Sequence, residues 1–166
     1  LKTPDRIPVL ANGHAWPGRV LGLKMSDIAA NVPVSTKAFI DVWSRFEGLD
    51  AIQIPGFHHS VLSMMWLAKV KVPGRDLPDD ELWQIDESEL MKVEDYDAIL
   101  AEGFGHWLAR YYKERLPGVA EEFGAFASEL PKIFDACREA GLVVLSPASP
   151  TVPYEYFCGG RTMKEF

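Results

Sequence analysis

The chain has 166 residues, 48% of them hydrophobic and 25% charged, with a formal net charge of -7. This is an ordinary globular composition, long enough to bury roughly two thirds of the unfolded surface around one core. The acidic balance, with no long basic run, argues against a protein that binds nucleic-acid phosphates, which requires clustered Lys and Arg. The longest apolar stretch, Val61 to Ala68, is broken by Ser63 and is too short to span a membrane. The two cysteines, Cys137 and Cys158, form no motif and fit a reducing, cytoplasmic setting better than a disulfide scaffold.

The stretch Arg6 to His14 opens with a short apolar strand that runs into Asn12-Gly13-His14. Val20 to Ile28 reads as a short helix, weakened by Gly22 and Ser26-Asp27. Ser35 is placed to cap a helix whose apolar residues Phe39, Ile40, Trp43 and Phe46 recur at steps of three and four, and Gly48 supplies a left-handed residue beyond its end. A second apolar run, Leu49 to Ile54, ends at Pro55-Gly56, with His58 and His59 just beyond. Ligands in α/β folds gather outside the carboxyl ends of the strands, so these histidines fall where chemistry is usual. Surface loop and helix cap is the alternative reading of both.

Ser60 can cap a short helix to Ala68, apolar nearly all round and therefore expected to be buried on more than one side, with Met64 and Met65 as core filler. Lys69 to Val72 and Leu82 to Asp86 alternate like the arms of a hairpin turned at Pro73-Gly74. One long helix follows, with Glu94 and Asp95 in its first turn and the basic cluster Arg110, Lys113 and Arg115 at its end, before Pro117-Gly118. His106 within it reads as a helix-surface or interhelix residue. Val119 to Ala140 keeps an apolar stripe through Phe123, Phe126, Leu130, Phe134 and Cys137, and Pro131 is expected to kink that helix or start a new one. The continuous apolar run Leu142 to Leu145 predicts a strand buried on both faces, hence a parallel sheet under helices. A loop rich in proline and tyrosine then leads to Cys158-Gly159-Gly160-Arg161.

Strands alternating with helices, without repeat or linker, give one unit over 1-166 of the α/β class. No Gly-x-Gly-x-x-Gly follows the first strand, so a barrel is preferred to an open dinucleotide-binding sheet. A (β/α)8 TIM barrel takes about 250 residues, so this chain is expected to be its N-terminal part. The start at Leu1 and the end in what reads as the first turn of a helix agree with a fragment; a complete domain with a frayed end is the alternative.

Four stretches together resemble the uroporphyrinogen decarboxylase superfamily: Pro4-Asp5-Arg6-Ile7-Pro8-Val9, Leu49-Asp50-Ala51-Ile52, Glu94-Asp95-Tyr96-Asp97, and Gly159-Gly160-Arg161-Thr162-Met163-Lys164-Glu165-Phe166. Their order and spacing, over essentially the whole chain, match the N-terminal half of a member. The resemblance implies a (β/α)8 barrel with its site at the C-terminal face. Its members either decarboxylate uroporphyrinogen or move methyl groups between corrinoid proteins and small thiols or methylated substrates. True decarboxylases carry Met-Arg-Gln-Ala-Gly-Arg after the first strand, where this chain has Ala11-Asn12-Gly13-His14-Ala15-Trp16-Pro17-Gly18-Arg19. Only Arg19 could then neutralise substrate carboxylates. They also place an aspartate after the next strand, where Gly56, Phe57 and His58 stand here. Both departures favour the methyltransferase branch.

In zinc-dependent relatives of that branch the metal holds the acceptor thiol as a thiolate, on a His-x-Cys pair and a distant Cys of the second half. This chain has no His-x-Cys, so any zinc is expected on residues beyond it, and the corrinoid on a partner protein. Substrate binding is assigned to Asn12, His14, His58 and His59, as hydrogen-bonding groups for a methoxylated or methylamine-type substrate. Arg19 and Arg161 are candidates for an anion, with a helix-end charge and a solvated turn as equal alternatives. Tyr154 and Tyr156 either line the mouth or pack. Against the enzyme stand a noncatalytic α/β binding module and a partial chain that pairs with a second half-barrel or a second copy.

Overall fold

Two short parallel strands organise the chain, β1 (Leu10–Ala11) and β2 (Ala51–Ile52), with Leu10 opposite Ala51 and Ala11 opposite Ile52. The structure, a computed structural model, describes residues 5–53 and 55–145. Asp50 sets the register: its carboxylate accepts the Val9 N–H at 2.7 Å and the Arg6 guanidinium at 2.6 Å. On the other side of β2, Ile52 bridges Val144 in parallel, donating to the Val143 carbonyl at 2.8 Å and accepting the Leu145 N–H at 2.9 Å. The three strand segments therefore lie side by side in chain order, β2 central, in a mixed helix and strand structure. The segment 142–145 departs from expectation in burial. Val143 is 60% and Leu145 54% exposed, so this run is not covered on both faces.

Between β1 and β2 come α1 (Trp16–Leu21), α2 (Met25–Ala30) and α3 (Val32–Trp43). The single short helix expected at 20–28 is two, because Gly22 adopts a left-handed φ of 67° and closes α1. Gly18 lets α1 lie against α2: a Cβ there would sit 2.5 Å from Ile28 Cγ1. Asn31, not Ser35, caps α3, its side chain accepting the Val34 N–H at 3.2 Å. Pro33 then occupies the first turn, where no backbone donor is needed. Phe46 lies beyond α3, half-exposed, against Trp16 and Trp43.

After β2 the chain forms α4 (Ser60–Trp66), the antiparallel pair β3 (Val70–Lys71) and β4 (Gln84–Ile85), then α5 (Glu94–Glu102), α6 (Phe104–Arg115) and α7 (Val119–Glu139). The hairpin stands where the alternation placed it. The long helix is broken in two by Gly103, whose φ of 85° and ψ of 148° suit only glycine. Arg115 is more than a helix-end charge. It forks onto buried Asp95 at 2.6 and 2.9 Å, and Asp95 also accepts Trp107 Nε1 at 3.0 Å and the Lys92 N–H at 2.6 Å. Burial alone would raise the Asp95 pKa, but the hydrogen bonds from Arg115, Trp107 and Lys92 outweigh it and hold the carboxyl below its usual range. Of the two outcomes expected at Pro131, a new helix does not occur: α7 continues through it. Pro131 lies on the exposed face while Phe126, Ile133 and Cys137 are buried on the other, and three buried side chains at about 1.5–3 kcal/mol each exceed the roughly 3 kcal/mol of an internal proline.

Two apolar clusters form the interior. One gathers Met25, Ile28, Phe39, Ile52, Phe57 and Cys137; the other gathers Leu67, Met91, Trp107, Tyr111 and Leu116. Helix α4 faces both, with Leu62 and Met65 on the first and Met64 on the second, and none of its residues is exposed. The reading of both methionines as core filler holds. Among the described residues no helix is long and apolar enough to cross a membrane.

Candidate functional site

The carboxyl ends of the parallel strands open onto a cleft of about 210 Å³. His14 after β1, Gln53 after β2 and Val144 from the third segment reach it from the sheet, and Phe126, Leu130 and Phe134 close it from α7. Its floor is Phe57, 1% exposed, which takes the His14 ring edge-on at 5.4 Å and stacks on Trp83 at 4.3 Å. Ser35 holds that floor in place. Its buried hydroxyl lies 2.9 Å from the Phe57 carbonyl, which accepts, and receives the Phe57 N–H at 3.3 Å. Gly56 allows the loop to approach α3, since a Cβ would meet Thr36 Oγ1 at 2.8 Å.

Among the described residues the cleft lining carries no lysine, arginine or carboxylate. Burial lowers the His14 pKa, so the imidazole is neutral near pH 7 and can both donate and accept one hydrogen bond. Two neutral hydrogen-bonding side chains in an otherwise apolar and aromatic pocket suit a small, weakly polar ligand.

His58 and His59 lie to the other side of Phe126. The His58 ring stacks near Phe126 at 6.1 Å, and its Nδ1 stands 2.8 Å from Ser60 Oγ and accepts the Ser60 N–H at 3.3 Å, which leaves the proton on Nε2. Its pKa is lowered, burial outweighing the pull of Glu122. His59 is buried, its Nε2 3.7 Å from Glu122, and burial with help from His58 and Arg75 lowers its pKa to about 4. It lines a second, charged cleft of about 410 Å³ under the β3–β4 hairpin.

No protein family matches this chain, and no curated protein or solved structure does either.

The structure thus divides the residues singled out in the sequence. Among the described substrate-binding candidates only His14 lines the strand-end cleft; Asn12 is exposed directly after β1, and Arg19, on α1, donates to the Asp80 carbonyl. Arg161, Tyr154, Tyr156 and Cys158 lie outside the described residues. His106 is exposed on α6, with Nδ1 3.1 Å from the Glu102 carbonyl. The rings of His58 and His59 lie together, their centroids 4.3 Å apart and the rings tilted by 32°. Among the described residues no three His, Cys, Asp or Glu side chains are arranged to hold a metal ion, so these residues do not fit a zinc centre.

Sequence reasoning missed Gln53, Phe57 and Trp83. Gln53 carried a signal, a polar residue ending an apolar strand run. Phe126, Leu130 and Phe134 were legible as part of an apolar stripe, and they face the cleft. Trp83 offered no signal, because its stack on Phe57 joins residues 26 positions apart.

Proposed function

We propose that this chain is a uroporphyrinogen decarboxylase-like unit, the N-terminal part of a (β/α)8 barrel, serving methyl transfer between a small methylated substrate or thiol and a corrinoid carried by a separate protein. The observation that carries the reading is the lining of the strand-end cleft: His14 and Gln53 among aromatic and aliphatic side chains, with no cation among the described residues. A porphyrinogen bearing many carboxylates would need several arginines there, whereas a methoxyl or methylamine group is met by one neutral donor and an apolar wall. Parallel strand segments neighbouring one another in chain order, the first two each followed by helices, support the barrel.

In this reading the residues of the chain bind and orient. Phe57, backed by Trp83, and the α7 side chains pack the methyl group and exclude water. His14 and Gln53 donate hydrogen bonds to the heteroatom that loses the methyl group and gains negative charge. Zinc, if used, is assigned to residues beyond this segment.

The test incubates the native protein with cob(I)alamin and a small methoxylated substrate and follows transfer of the methyl group to cobalt, with release of the demethylated alcohol, by mass spectrometry. Turnover above the uncatalysed rate is expected, with His14→Ala slower by about a hundredfold and unchanged in circular dichroism. Conversion of uroporphyrinogen to coproporphyrinogen without methyl transfer would replace this reading with the decarboxylase; neither activity would leave a noncatalytic binding module.

A further inference from the structure

We infer that the cleft beneath the β3–β4 hairpin is a second binding site, for a small zwitterionic amino compound with an aliphatic side chain. The cleft, about 410 Å³, lies between the hairpin, α4 and the corner joining α6 to α7, and shares no lining residue with the strand-end cleft. It stands independently of the methyl-transfer reading.

Its floor is polar and buried. The His59 side chain is 8% exposed and Ser63 3% exposed, and neither side chain makes a hydrogen bond among the described residues, the 3.7 Å approach of His59 to Glu122 being too long for one. Neither residue has a polar atom sealed away from solvent without a partner, so the His59 imidazole and the Ser63 hydroxyl open onto the cleft and are available to a ligand there. Leu116 and Val119 give the cleft an apolar wall.

The charges around the rim select the ligand. Lys71 is paired with Asp86 at 3.2 Å and Arg75 with Asp76 at 3.0 Å, so these four cancel. What remains is Lys69, with no carboxylate partner among the described residues, and Glu122 across the cleft on α7, which is met there by the neutral His58 and His59 and forms no ion pair with a Lys or Arg among the described residues. A simple anion would meet Glu122 and a simple cation would meet Lys69. A molecule carrying both an ammonium and a carboxylate matches both, and its aliphatic part fits the apolar wall.

Isothermal titration of the intact protein with L-leucine tests this, beside the half-ligands 4-methylpentanoate, which lacks the ammonium, and isopentylamine, which lacks the carboxylate. Saturable L-leucine binding is expected, with each half-ligand weaker by about tenfold or more, the worth of one charge-assisted contact. Lys69→Gln should weaken L-leucine by a similar factor while leaving isopentylamine unaffected, and Glu122→Gln should do the reverse with 4-methylpentanoate. Absence of saturable heat at millimolar L-leucine, half-ligands that bind as tightly as the whole, or variants that bind L-leucine like the wild type would each overturn the assignment. The half-ligand comparison needs no variant, so it stands even where a substitution disturbs folding.

Discussion

Replacing Ser35 by alanine removes one oxygen atom and disconnects α3 from the floor of the strand-end cleft. Ser35 is fully buried, and among the described residues its hydroxyl is the partner of both the N–H and the carbonyl of Phe57, itself 1% exposed, with the Val32 carbonyl at 3.0 Å sharing the hydroxyl proton. A buried backbone group left without a partner costs about 1–3 kcal/mol. The 3.3 Å N–H contact is long and contributes at the low end, the 2.9 Å contact more, so the loss should total about 2–4 kcal/mol. Equilibrium urea unfolding measures the total, and hydrogen exchange at the Phe57 amide localises it. Ser128→Ala is the control: that hydroxyl makes a bond of similar form, to the Ala125 carbonyl at 2.7 Å, but in solvent, and its loss should stay within about 0.5 kcal/mol. If Ser35→Ala cost no more than Ser128→Ala, or if Phe57 kept its exchange protection, the account of how the cleft floor is held would be wrong.

Two further outcomes follow from burial and backbone geometry. His59 has a folded pKa of about 4 against 6.5 when free, so between those values the unfolded chain binds a proton that the folded one refuses. Its contribution to stability is complete above pH 6.5 and falls by about 1.4 kcal/mol per pH unit on acidification toward pH 4; urea midpoints for His59→Gln should therefore vary less over this window than those of the wild type, and parallel profiles would refute the burial argument. Gly18→Ala should destabilise by about 1–3 kcal/mol, because the new Cβ overlaps Ile28 in a packed contact, whereas Gly124→Ala, with open space on the exposed face of α7, should stabilise by about 0.5–1 kcal/mol. Thermal melts of the two variants moving in the same direction would contradict this.

Period and punctuation made much of the architecture readable. The strand before His14, the strand before His58, the hairpin at 70–85 and the apolar stripe of α7 all follow from local patterns that agree with the tertiary packing. The misreadings arose where a local signal had two physical meanings. Ser35 has the chemistry of a cap, yet its hydroxyl sits one turn inside α3 and serves Phe57, 22 residues away. Gly103 was absorbed into a periodic run, although its positive φ ends one helix before Phe104 starts the next. Pro131 was given its usual disruptive weight, but it falls on the wet face of an amphipathic helix anchored on both sides. In the cleft, His14 was found because it ends a strand; Phe57 and Trp83 were not, because a stacked pair is made by the fold and leaves no spacing to read.

Helix α4 contributes Leu62 and Met65 to one apolar cluster and Met64 to the other, with no exposed face. It cannot lift from one core without stripping the other. The two clusters are thereby tied into a single opening event, and the α4 amides should be released only by global unfolding. Because His58 and His59 lead directly into this helix, the loop that carries them inherits the cooperativity of the whole molecule rather than the looseness of a surface connection.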